Sequence, residues 1–127
     1  MSRLTRAVPT FVVSDVGATA EWYAKELGFQ CAFFPDQPPH VYASLSRDDV
    51  ELMLLRIEGY QKPDIAKRRP EGLWDAYIRM EGVRELYDAV KDRAFIRMPL
   101  TTQGYGDTEF EVRDPNGYVL VFSELIG

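Results

Sequence analysis

Apolar and polar residues alternate along much of this chain, and in two stretches the alternation gives way to helical spacing. Over Ala7–Ser14, Val8, Thr10 and Val12 fall on one side of an extended segment and Phe11 and Val13 on the other, which predicts a strand. Asp15 can accept a hydrogen bond from a free amide of the turn that follows, as a helix N-cap does. Ala20, Tyr23, Ala24 and Leu27 then recur at i, i+3, i+4 and i+7, the apolar stripe of an amphipathic helix. Gly28 closes that helix, where a left-handed residue is cheapest without a Cβ. Phe29–Phe34 reads as a short strand, ended by Pro35, Pro38 and Pro39 because proline cannot donate to a ladder. Val41–Arg47 and Val50–Leu55 read as a hairpin.

Ile57–Gly72 mixes Gly, Pro and charge with no period, and a linker is expected there. The pattern then restarts. Asp75–Met80 alternates with Ala76, Ile78 and Met80 on its apolar face, and Val83, Leu86, Tyr87 and Val90 repeat the helical stripe. Phe95–Met98 is a candidate short strand and Thr101–Gly106 a loop with paired glycines. A closing hairpin spans Thr108–Phe122, with Phe110 and Val112, then Tyr118, Leu120 and Phe122, at period two. Its turn, Asp114-Pro115-Asn116-Gly117, suits type I: Pro pre-sets the backbone angle at the second position and Gly tolerates the exit. Leu45–Leu54 has the same plan, with Arg47-Asp48 where the closing hairpin has Arg113-Asp114.

The order strand, helix, three strands thus occurs twice, over about 7–56 and 74–124, at an offset of about 66 or 67 residues. The predicted class is α+β, two tandem βαβββ units, each with a helix on one sheet face and the other face left to enclose a shared cleft. Val50, Leu52, Leu54, Ala76, Ile78, Met80, Tyr118, Leu120 and Phe122 make the face to bury under helices. The opposite face is mixed: Thr10, Glu51, Met53, Asp75, Tyr77, Arg79, Glu109, Glu111 and Ser123, chemistry that suits a ligand or a subunit contact.

The totals narrow the function classes. A length of 127 residues fits one domain, residues 1–127, with a core that needs no disulfide. A net charge of -5 argues against nucleic acid as a partner, since a phosphate backbone needs clustered positive charge. The one basic run, Lys67-Arg68-Arg69, is read as solvated. Cys31 is the only cysteine, which points to a reducing compartment. With no long apolar run at the N-terminus and none of membrane-spanning length, a cytoplasmic protein without membrane contact is expected.

Several of these segments together resemble a known superfamily. Ser14-Asp15-Val16 leading into Glu21-Trp22-Tyr23 and Leu27-Gly28-Phe29, with the closing Arg113-Asp114-Pro115-Asn116-Gly117, look like the vicinal-oxygen-chelate superfamily. That superfamily holds glyoxalases, extradiol dioxygenases, epimerases, fosfomycin-resistance enzymes and bleomycin resistance proteins. The chain most resembles the last of these. Ala7-Val8-Pro9, Arg47-Asp48-Asp49-Val50, Glu85-Leu86-Tyr87 and Glu109-Phe110 stand in that family's order and nearly its spacing. The resemblance implies paired βαβββ units and a homodimer with ligand clefts at its interface.

It also implies a choice between enzyme and binder. By position, the metal-ligand places of the superfamily fall at Val8, Glu51, Asp75 and Val121, and two aliphatic side chains cannot coordinate a metal. His40, the only histidine, stands outside these places and is read as an exposed loop residue. No metal site and no cofactor are therefore expected. The resemblance points instead to a non-catalytic protein that sequesters a planar and/or cationic small molecule, such as a bleomycin-type glycopeptide. Phe33 and Tyr42 match two groove aromatics of the bleomycin resistance proteins, and Tyr105, between Gly104 and Gly106, stands where that family has a loop tryptophan. The candidate ligand-binding residues are Phe33, Tyr42, Glu51, Met53, Asp75, Tyr77 and Tyr105. Glu51 and Asp75, charged where the drug-binding relatives tend to be uncharged, have three roles open to them: pairing with Arg79, attracting a cationic ligand or holding a divalent metal weakly. The alternative is a metal-dependent lyase, isomerase or oxygenase that uses Glu51 and Asp75.

Overall fold

A computed structural model describes residues 1–69 and 71–125; Pro70, within the expected linker, lies outside the described residues, as do the last two residues. The strand-helix-strand-strand-strand order is present twice, in compact units of Met1–Gln61 and Lys62–Gly127.

The first unit contains β1 (Thr10–Val13), α1 (Val16–Leu27), β2 (Gln30–Phe34), β3 (Tyr42–Arg47) and β4 (Val50–Arg56). Its sheet runs in the order β1-β4-β3-β2, with β1 parallel to β4 and the other pairs antiparallel. Phe11, Val13, Ala43, Leu45, Leu52 and Leu54 point to one side and are buried against α1. Asp15 caps that helix, its Oδ1 accepting from the Ala18 amide at 3.0 Å. Gly28 ends it in the left-handed region at φ 73°. The buried stripe is Val16, Thr19, Ala20, Tyr23 and Leu27. Ala24, expected in it, is exposed, because Val16 and Thr19 start the stripe a turn earlier and carry it past Ala24.

The second unit contains a short 3-10 turn at Ile65–Lys67, then β5 (Ala76–Arg79), α2 (Val83–Val90), β6 (Ile96–Thr102), β7 (Asp107–Arg113) and β8 (Val119–Leu125). The sheet order β5-β8-β7-β6 repeats the plan of the first unit. Gly82 offers α2 no side-chain cap, so Glu124 from β8 does the work, its Oε1 accepting from the Gly82 and Val83 amides at 3.0 and 3.1 Å. Phe110 lies in this core between Tyr87 and Phe122, at ring distances of 5.2 and 5.4 Å. In the closing turn the Gly117 amide bonds Asp114 O at 3.0 Å, and the Asp114 carboxylate takes the Asn116 and Tyr118 amides.

Two differences from the sequence pattern matter for the site. Strand β6 runs on to Thr102, with register shifts between Ile96 and Met98 and between Met98 and Thr101. Such bulges break period two, so the strand is longer than its pattern suggests. The expected linker also packs locally: the Lys62 ammonium sits 5.3 Å from the Tyr118 ring centre and 3.6 Å from the Asp75 carboxylate. Among the described residues no helix is long and apolar enough to cross a membrane.

Candidate functional site

The sheet face of the second unit that turns away from α2 carries a dense set of polar side chains. Pairing explains why they meet. Tyr77 is in register with Val121 and Val121 with Glu111; one step along, Arg79 is in register with Ser123 and Ser123 with Glu109. Asp107, two residues before Glu109, shares its side of β7. The bulged edge strand β6 adds Arg97, Met98 and Thr101. Together with Trp74 and Tyr105 these side chains line a cleft of about 1160 Å³.

The acids at its floor are buried: Asp107, Glu109 and Glu111 are 2%, 4% and 5% exposed. Buried charges are costly unless paired or hydrogen-bonded, and each carboxylate is met differently. Asp107 pairs with Arg79 at 2.5 Å and also accepts the Tyr77 hydroxyl at 2.8 Å. Glu111 pairs with Arg97. Glu109 accepts hydroxyls from Tyr77 and from Tyr105, each at 2.5 Å, and pairs with no Lys, Arg or His among the described residues.

Tyr77 is the hub. Its single hydroxyl proton is shared between Glu109 and Asp107, the oxygen lies 3.1 Å from Ser123 Oγ, Trp74 stands edge-on at 5.1 Å and the Arg79 guanidinium lies over its ring. Burial first, and then the bond to Glu109, push its phenol above the ordinary tyrosine range. The Tyr105 phenol is raised for the same two reasons, in the same order. The Tyr77 hydroxyl bond holds Asp107 below the usual aspartate range, helped by Arg79 and opposed by burial. At neutral pH the face therefore presents two protonated phenols and an ionised Asp107.

The structure places the candidate residues as follows. Tyr77 and Tyr105 line this cleft. Asp75 is engaged structurally, its carboxylate accepting from the Val119 amide at 2.8 Å and facing Lys62. In the first unit, Glu51 pairs with Arg6 at 2.5 Å and accepts from Ser44 at 2.8 Å. The pairing of Glu51 or Asp75 with Arg79 is thus corrected: Glu51 pairs with Arg6, Asp75 with Lys62, and Arg79 with Asp107. Met53 is in register with Thr10 and Ser44 on the face opposite α1. Tyr42 packs against Phe34 at 6.5 Å. Phe33 lies on the other side, in register with Ala43 and stacked on His40 at 4.2 Å. His40 is half-buried rather than fully exposed, its Nδ1 2.8 Å from Pro35 O.

The four places where the superfamily would hold a metal do not fit one. Val8 and Val121 offer no donor atom, Val121 is buried in register with Tyr77, and both carboxylates are already engaged. No group of three His, Cys, Asp or Glu among the described residues is arranged to hold a metal ion.

Trp74, Arg97 and Asp107 have no place in the sequence reading of the site, and Arg79, Glu109 and Glu111 stand there on the mixed sheet face but not among the candidate ligand contacts. Extending the Glu109, Glu111 alternation back by one step reaches Asp107, but the glycines at 104 and 106 suggest a loop there. Trp74 precedes its strand and has no periodic signal.

The sequence profile of the Glyoxalase/Bleomycin resistance protein/Dioxygenase superfamily matches residues 5–122. No curated protein matches the chain by sequence. Among solved structures, a glyoxalase-related enzyme from Clostridium phytofermentans superposes with a TM-score of 0.75 at 17% identity, covering 98% of each chain. The bleomycin-binding protein of Streptomyces verticillus, solved with copper(II)-bleomycin, gives 0.66 at 24% identity over 100% of this chain and 99% of its own. A bleomycin resistance determinant encoded on the transposon Tn5 gives 0.70 at 21%, over 95% and 98%. At these identities the likeness is one of fold.

Proposed function

This chain belongs to the Glyoxalase/Bleomycin resistance protein/Dioxygenase superfamily, and from that premise we propose that it binds and sequesters a small molecule without transforming it. The observation that carries the reading is the second-unit cleft, where the exposed Trp74 and Tyr105 rings stand beside a buried acidic floor. Flat rings offer π-faces to a planar ligand, and fixed negative charge attracts a cationic one. A bleomycin-type glycopeptide, which has both features, is the specific candidate; a relative of the same fold was solved with it bound. Tyr77 and Tyr105 are proposed as ligand contacts, as are Tyr42, Glu51 and Met53 on the corresponding face of the first unit. A homodimer and a cytoplasmic location complete the proposal.

The test is a tryptophan-fluorescence titration with metal-free and copper-loaded bleomycin. A Trp22→Phe background leaves Trp74 as the only reporter, since the chain has 2 tryptophans. A saturable change at micromolar ligand is expected, and its absence rejects bleomycin. Tyr105→Ala should weaken binding by about 1–2 kcal/mol if the ring stacks on the ligand. Elemental analysis of protein purified without chelator provides the opposing test: a stoichiometric transition metal would overturn the non-catalytic reading.

A further inference from the structure

Charge is not shared evenly within the cleft, and this inference, which rests on the binding reading above, follows from that imbalance. Two of the three floor acids have their own arginine; Glu109, 4% exposed, has only two phenols. A carboxylate offers about four acceptor sites, so two hydroxyls leave capacity unused. The two phenols are also held very differently. Tyr77 is fixed by Asp107 and Ser123 as well as Glu109. Tyr105 is 62% exposed and is held at its hydroxyl by Glu109, with the Tyr77 hydroxyl beside it. It stands in the β6–β7 turn, between Gly104 and Gly106, and a Cβ added at either glycine would meet nothing within 4 Å. The turn is closed by the Gly106 amide on Gln103 O at 2.9 Å and the Gln103 amide on Asp107 O at 2.7 Å, so it is the Tyr105 side chain, in open space, that can swing away.

We infer that Glu109 is the counter-ion for a single organic cation on the ligand, an ammonium, amidinium or guanidinium, and that Tyr105 is the cap this cation displaces. Tyr77 stays in place and keeps the carboxylate oriented. The freed Tyr105 ring and the Trp74 ring, 46% exposed, cover the rest of the cation-bearing ring system. The pairing suits an organic cation better than a metal ion, because among the described residues only one of the three buried floor carboxylates lacks a cationic partner, while the fourth acid of the lining, Glu71, is exposed at the rim.

The experiment compares two planar probes of nearly the same shape: 9-aminoacridine, a monocation at neutral pH, and acridine, which is uncharged there. Wild-type protein should bind the cation at least about tenfold more tightly, the effect of one charge-assisted hydrogen bond. Glu109→Gln keeps the shape and the phenol contacts and should bring the two affinities to within about twofold. Tyr105→Phe removes only the capping hydroxyl and should tighten the cation severalfold, since no bond then has to break; it keeps the test decisive if Glu109→Gln folds poorly. Acridine and 9-aminoacridine binding equally to wild type would overturn the inference while leaving sequestration of planar molecules intact. Preference for the cation that survives in Glu109→Gln, or Tyr105→Phe weakening it, would also overturn it. Binding of neither probe while bleomycin binds would overturn the inference alone, and binding of neither probe nor bleomycin would reject both readings. Binding of 9-aminoacridine but not bleomycin would reject only the specific ligand.

Discussion

The two units can be compared pair by pair because each sheet follows the same order and pairing plan. Under the helices the pairs Ala43–Leu54 and Leu45–Leu52 of the first unit correspond to Phe110–Phe122 and Val112–Leu120 of the second. All eight side chains are apolar and buried. On the opposite faces, the first unit's rows Thr10–Met53–Ser44 and Val12–Leu55–Tyr42 carry no charge. Their counterparts Tyr77–Val121–Glu111 and Arg79–Ser123–Glu109 hold three charged residues and the phenol that links them. Both units keep what the fold requires, a greasy side under a helix, and they differ on the other side. A cleft rich in charge is therefore a property of one face, not a demand of the fold.

The comparison can be broken or sharpened by substitution. Phe110→Ala gives the second unit the residue that the first has at Ala43, but leaves a void between Tyr87 and Phe122. It should cost about 3–5 kcal/mol in urea unfolding; a loss under about 1 kcal/mol would mean the two cores are interchangeable at this pair. The helix caps come next. Asp15→Ala removes a local cap and Glu124→Ala a distant one, and each should cost about 1 kcal/mol in the same assay.

The two pH effects should be smaller. Asp107 has a lowered folded pKa, so its contribution is complete above the ordinary aspartate range and lost as pH falls through the lowered value. Asp107→Asn should accordingly flatten the acid limb of a stability-versus-pH curve measured by thermal melting; an unchanged limb would show that Arg79 and Tyr77 do not favour its ionised form. For Tyr77 the folded pKa is raised, so its contribution is full below the ordinary tyrosine range and falls as pH rises toward the folded value. Tyr77→Phe should lessen the alkaline loss of stability, read by the same melts, and a steeper loss would contradict the assignment.

Much of this architecture can be read from residue order. The Asp15 cap, the Gly28 terminator, the Asp114–Gly117 turn and the doubled stripes are local signals, and local chemistry decides them. The acidic face was also visible, as Glu109 and Glu111 alternating with Phe110 and Val112. What escaped depends on pairing. Phe33 and Tyr42 look like companions in the sequence, yet strand register sets Phe33 on the side of Ala43 and leaves Phe34 beside Tyr42. Arg97 was hidden because β6 is bulged, and the choice of Asp107 over Asp75 by Arg79 is made by contacts between strands.

Strand β7 also has a consequence for how the chain reaches its fold. From Asp107 to Val112 every residue is buried, with acids on one side and Thr108, Phe110 and Val112 on the other. A slip of one residue against β8 would exchange the two sides. It would press Asp107, Glu109 and Glu111 beneath α2, far from Arg79 and Arg97, at a cost of several kcal/mol for each uncompensated ion. The neighbouring edge strand, with its irregular pairing, supplies little such discipline. The acids therefore act as a proofreading device while the sheet assembles: of the alignments β7 could try, they reject the near misses that hydrophobicity alone would tolerate.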